Sequence, residues 1–212
     1  MLIDLMKLEE QVAGLMFMQE NLEAHLNGAN WKKLGHNYGL CIVMEAAEAI
    51  EHYGWKHWKH IEPNIPAAKM ELVDILHFWL ASELVHGTTH TALAATMSYG
   101  MVHISSDVSF VEAMTGIIAS VSYTDTMPVV NFFTAMTRID MSWDELHMLY
   151  LTKHTLNIFR RDNGYADGSY VKDWDGVEDN VHAEALARAM GDDLLVSVLY
   201  DELKSAYKIY TN

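Results

Sequence analysis

The chain has 212 residues, enough for one well-buried core. Half of them are hydrophobic, and only 3 prolines and 12 glycines interrupt the chain, which favours long helices over many short strands. With 14 basic and 29 acidic residues the formal net charge is −15, which argues against binding to nucleic acid or to an anionic membrane surface. Cys41 is the single cysteine, so no intramolecular disulfide can form and a reducing, cytoplasmic setting is expected. Asp4, Glu9 and Glu10 stand where a signal peptide would carry basic residues, and no uncharged apolar stretch reaches 18 residues.

Helical periodicity opens the chain, with Leu5, Leu8, Val12, Leu15, Met16, Met18 and Leu22 marking a helix over 2–26 that Asn27-Gly28 ends. A second helix is predicted over 36–52. Between it and the next lies a polar segment, Trp55-Lys56-His57-Trp58-Lys59, and a loop containing Pro63. Pro66 is suited to the first turn of a third helix reaching His86, and Gly87 stops it. Several shorter helices are expected over 88–141, with Asp107 as an N-cap and Pro128 at a helix start. Ser142-Trp-Asp-Glu145 has the pattern of a capping box, opening a helix to Asp162. A loop over 163–180 and one or two terminal helices complete an all-α bundle. The domain expectation is a single unit over 1–212, with 88–141 as a small helical insertion.

Two acidic doublets stand out against this background. Glu45-Ala-Ala-Glu48 follows the apolar run Leu40 to Met44, and Glu71-Leu-Val-Asp74 sits among Leu72, Val73, Ile75 and Leu76. At spacing i, i+3 both carboxylates of a doublet leave one helix face. An unpaired carboxylate among core residues costs several kcal/mol, so four of them imply a neutralising partner. An all-oxygen set of this kind suits a hard divalent cation, Mg²⁺ first. Two solvated helix faces are the alternative reading of the same residues.

A second constellation runs from Lys153 through Asn157 and Arg160 to Gly164-Tyr165. Its cationic and amide groups share a face near a helix end. Such a face can grip phosphate oxygens, although basic residues there also complement the helix dipole. Lys56, Lys59, Lys153, Arg160, Arg161 and Lys172 all fall in the two loop-bordering segments, and that concentration in an acidic chain favours an anion site. Glu83-Leu-Val-His86 and Asp144-Glu-Leu-His147 resemble half of a di-iron bundle, but neither overlaps the acidic doublets and both read as ordinary helix residues.

Taken in order, the blocks Glu45-Ala-Ala-Glu48, Trp55-Lys56-His57-Trp58-Lys59, Glu71-Leu-Val-Asp74-Ile-Leu-His77-Phe78 and Lys153 to Asn180 resemble the all-α dimeric dUTPases. These belong to the all-α nucleoside triphosphate pyrophosphatases, which include phage dCTPase/dUTPases. The resemblance implies a Mg²⁺-dependent, homodimeric enzyme that hydrolyses dUTP, with dUDP and dCTP as further substrates, to the nucleoside monophosphate and pyrophosphate. It implies that Glu45, Glu48, Glu71 and Asp74 hold the metal and carry catalysis. It also implies that Lys56, Lys153, Arg160 and Tyr165 approach the phosphates with help from Asn157. Gln19 matches the family's base-reading Gln, and Trp55 and Phe78 its base-flanking aromatics. The family's companion Asn has no counterpart, since Leu22 takes its place and Asn21 is offset. The competing readings are a dCTP-preferring or broader pyrophosphatase and, from other classes, a non-catalytic helical protein or a di-iron bundle.

Overall fold

The computed structural model describes residues 4–210. Helices dominate: α1 (Leu5–Asn27), α2 (Tyr38–Tyr53), α3 (Ile65–His86), α4 (His90–Val102), α5 (Phe110–Thr124), α6 (Val129–Arg138), α7 (Trp143–Asp162), α8 (Asp179–Met190) and α9 (Val196–Tyr210). The fold is therefore all-α, as the composition predicts. The start expected at Leu2 lies outside the described residues; α1 begins after Asp4, whose carboxylate accepts from the backbone N–H of Met6 and Lys7.

The central element is α3. Leu72, Val73, Ile75, Leu76, Trp79 and Leu80 are all buried, so apolar residues point to nearly every side. Such a helix needs neighbours all round. α2, α1, α7 and α6 supply them. Small residues at the α2–α3 contact, Ala46, Ala49 and Ala68, are fully buried and let the two backbones approach closely. The two helices form an antiparallel hairpin, closed by the Asn64 N–H donating to the His52 carbonyl at 2.8 Å.

α4, α5 and α6 bury Met97, Ile117 and Phe132 in the same apolar cluster as α1–α3 and the first half of α7. A second cluster gathers Leu156 and Phe159 from the far half of α7 with Trp174, Ala183, Leu199 and Leu203. Thus α7 carries the C-terminal elements on one end and the main core on the other.

Local starts differ from the sequence expectation in three places. Ser109, not Asp107, caps α5, and with Glu112 it forms a complete capping box. Asp107 instead accepts from the Ser106 hydroxyl. At α7 only half of the expected box forms. Ser142 Oγ accepts from the Glu145 N–H, but the Glu145 carboxylate is taken by Lys69 at 2.8 Å and Arg188 at 3.1 Å. The segment read as loop contains a short hairpin, β1 (Asp173–Trp174) paired antiparallel with β2 (Val177–Glu178). Asp175 and Gly176 at its tip both have positive φ, 57° and 81°. That is the conformation an Asp-Gly hairpin turn requires, so the dipeptide was the available signal.

Candidate active site

Three of the four doublet carboxylates converge. Glu45 of α2 and Glu71 and Asp74 of α3 each place an oxygen within 4.8 Å of the others. Among the described residues no other group of three His, Cys, Asp or Glu side chains meets in this way. Glu48 is exposed one turn along, lining a neighbouring cleft with Glu71 and His52.

Burial, then repulsion from Asp74 and Glu71, pushes the Glu45 carboxyl up to about 8. Burial and Asp74 push Glu71 up to about 7. Carboxylates so close and so buried repel each other, so without a cation this pair holds protons more tightly than an ordinary acid. One cationic group offsets part of the charge, Lys153 Nζ at 2.8 Å from Asp74, and the His52 imidazole lies 3.2 Å from Glu71 through Nε2. The donor set, all carboxylate oxygen and short of positive charge, fits a hard divalent ion.

Asp74 also borders a cavity of about 260 Å³. Gln19, His77 and Phe78 form one part of its wall, and Asn157, Arg160 and Tyr165 another. Five of the residues singled out in the sequence therefore meet around one space, next to the acidic trio. Arg160 is held there by a bidentate pair with fully buried Asp179, Nε at 2.8 Å and Nη2 at 2.7 Å. The Tyr170 hydroxyl donates to the same carboxylate at 2.8 Å. Nη1 takes no part in these bonds. Tyr165 stacks below the guanidinium, with Arg160 Cζ 5.8 Å and Lys172 Nζ 5.3 Å from its ring.

Trp55 and Lys56 are not brought to this space within the single chain. Both are tied to Glu51 at the end of α2, Trp55 through its indole N–H at 2.7 Å and Lys56 through an ion pair. Trp55 is 44% exposed and meets Trp58 edge-on.

Sequence reasoning missed the polar residues behind Gln19. Glu23, His77, Tyr38 and Tyr150 are all buried. Gln19 Oε1 accepts from the Tyr150 hydroxyl at 2.8 Å and meets His77 Nδ1 at 2.7 Å, while its Nε2 donates to Glu23 at 3.1 Å. Burial, with His154 and Lys153 nearby, holds the His77 imidazole well below its ordinary value and hence neutral. Burial likewise lowers His154 to about 4. Glu23 had a faint signal, at i+4 from Gln19 on the same helix face. His77 and Tyr150 had none beyond being polar residues in apolar runs.

The central helix hairpin of this all-α bundle thus offers a carboxylate cluster, bordered by a cavity with a cationic rim. The profile of the dUTPase family matches residues 11–165, nearly the whole span from α1 to the Tyr165 turn. The chain belongs to that family, in its all-α branch, and is a nucleoside triphosphate pyrophosphohydrolase. The comparison with curated proteins found no match to the chain. No described helix is long and apolar enough to cross a membrane.

Proposed function

We propose that the protein hydrolyses dUTP to dUMP and pyrophosphate with Mg²⁺ held by Glu45, Glu71 and Asp74, and with Glu48 completing the cage from the edge. The observation that carries this reading is that Asp74 belongs both to the carboxylate trio and to the wall of the Gln19 cavity. A base seated against Gln19 and Phe78 then has its phosphates leading toward the acidic trio. When bound, the metal would screen the carboxylates, clamp phosphate oxygens and activate water. The chain's own groups do the rest. Lys153, Arg160 Nη1 and Tyr165 neutralise and orient the phosphates, and Asn157 adds an amide between them and the base. Glu48, the exposed carboxylate, is free to orient the attacking water. Trp55 and Lys56 are proposed to join the substrate when the loop over 54–64 moves toward it.

The protein is further proposed to act as a homodimer. Val102 and Ile104 are exposed in an apolar cleft also lined by Phe133, Met136 and Trp143, a surface suited to a second copy. Light scattering at micromolar protein should give twice the chain mass of 24.1 kDa. The activity is tested with a panel of dUTP, dUDP, dCTP and purine nucleotides with Mg²⁺, scoring pyrophosphate and phosphate release. Preferred hydrolysis of dUTP with pyrophosphate as product is the expected result. Purine turnover as fast as that of dUTP would overturn it.

A further inference from the structure

The buried wall of the cavity contains a hydrogen-bond chain that the metal and phosphate groups do not use. Glu23 is 5% exposed yet carries a carboxylate. One of its oxygens accepts from Gln19 Nε2 at 3.1 Å. The other accepts from Asn27 Nδ2 at 2.9 Å and from the Tyr38 hydroxyl at 3.0 Å. An ionised carboxylate only accepts, so it demands a donor from Gln19. Turning the amide over would set oxygen against oxygen at that distance and leave the Tyr150 hydroxyl only the Leu15 carbonyl, at 3.4 Å, as acceptor. Glu23 thereby fixes which end of the amide faces which way, an assignment that the shape of a glutamine side chain leaves open.

The consequence passes to His77. With Gln19 Oε1 as acceptor, His77 must carry its proton on Nδ1, which leaves Nε2 a bare lone pair. His77 is 4% exposed, it lines the cavity, and its Nε2 has no hydrogen-bond partner. A buried polar atom without a partner costs free energy unless a ligand or water completes it. Stacking on Tyr150, with ring centres 4.0 Å apart, keeps the imidazole in place. Gln19 has both lone pairs of Oε1 filled, so its only spare capacity is the second hydrogen of Nε2. Between these two lining residues the unused capacity is one donor, the second hydrogen of Gln19 Nε2, and one acceptor, His77 Nε2. Leu22 in the same wall adds no polar group.

We propose that Glu23 is a positioning residue for base selection: acting through Gln19 and then His77, it sets a donor beside an acceptor, the complement of the O4 and N3–H edge of a 4-oxopyrimidine. This rests on the reading of the cavity as the base site. Uracil satisfies both groups. Cytosine presents an amine to the donor and a bare N3 to the acceptor, and so leaves both unpaired. A site built this way rejects the mismatched base strongly.

The test compares the wild type with Glu23→Gln, which keeps the shape but can present either end of its own amide, releasing Gln19 to turn. The readout is the ratio of kcat/KM for dUTP over dCTP, with melting curves to check folding. The expected wild-type ratio is about tenfold or more in favour of dUTP, falling toward parity in Glu23→Gln. Tyr38→Phe, which removes one donor from the far oxygen of Glu23, should shift the ratio the same way by less and serves if Glu23→Gln does not fold. An unchanged ratio in a folded variant, or a wild type that prefers dCTP, would overturn the proposal. Calorimetric binding of dUMP against dCMP reads the same preference without turnover. A protein that binds dUMP selectively but hydrolyses nothing would thus refute the hydrolase reading and not this one.

Discussion

Two groups of buried carboxylates in this molecule are handled in opposite ways. Asp179 is fully buried, and the chain itself satisfies it with the Arg160 fork and the Tyr170 hydroxyl. Glu45 and Glu71 instead crowd each other and Asp74, with their carboxyls raised to about 8 and about 7 and the His52 imidazole 3.2 Å from Glu71. The first arrangement is complete as it stands and fixes the position of a cation. The second is unfinished without a cation from outside. A closed charge pair is a structural device, whereas an open one implies a ligand.

That contrast can be broken most severely at the closed pair. Asp179→Asn leaves the Arg160 guanidinium buried beside a neutral amide and should cost about 3–5 kcal/mol of folding stability. Denaturant unfolding measures this. A loss below about 1 kcal/mol would show that Arg160 finds other partners. The same substitution should free Arg160 to move, so activity should fall even where the protein remains folded.

The open group should reveal itself through pH. Both acids bind their proton more tightly in the folded chain than at the ordinary value of 4.5. Below that value the proton is present in both states and nothing is lost. Between about 4.5 and about 8 the folded state holds more protons than the unfolded one, so metal-free stability declines as pH rises. After solvent screening the decline is on the order of 1–2 kcal/mol. Mg²⁺ competes with those protons, and its stabilising effect should be larger at pH 8 than at pH 5. Melting curves across that range with and without Mg²⁺ provide the check, and a pH-independent metal effect would contradict this competition.

The smallest effect is expected at the exposed segment after α2. Trp55→Ala removes a side chain that is 44% exposed and should change folding stability by less than about 0.5 kcal/mol. Its influence on the KM for dUTP reports whether the loop reaches the substrate. An unchanged KM would remove Trp55 from the base site.

How much of this was readable in advance follows from chain distance. The meeting of Glu45, Glu71 and Asp74 was legible because each doublet lies within one helical turn inside an apolar run, whereas Glu48 kept the solvated alternative. The helix order was legible for the same reason, with Gly54 and Gly87 ending α2 and α3 in left-handed conformations. The wall behind Gln19 was not legible, because His77 and Tyr150 reach it from 58 and 131 residues away. No local pattern records such a meeting. Asp107 and Ser109 were both short polar residues at the start of one helix, and only the glutamate three residues after Ser109 separates them. The hairpin over 173–178 was hidden by its length, two residues a strand, despite its Asp-Gly turn. Glu145 illustrates a different failure. Its local role in a capping box lost to Lys69 and Arg188, which come from other helices.

The central claim is that the acidic trio is a metal site at the mouth of the base cavity, and Asp74 is the residue common to both. The most direct measurement is dUTP turnover by the wild type and Asp74→Asn, each with and without Mg²⁺, alongside melting curves. The account predicts that turnover by the variant falls by on the order of a hundredfold or more, while its metal-free stability stays equal to or slightly above the parent's, because one repelling charge has gone. Mg²⁺ should raise the melting temperature of the wild type and have much less effect on the variant. An Asp74→Asn protein that hydrolyses dUTP at the parent's rate without added metal would contradict it.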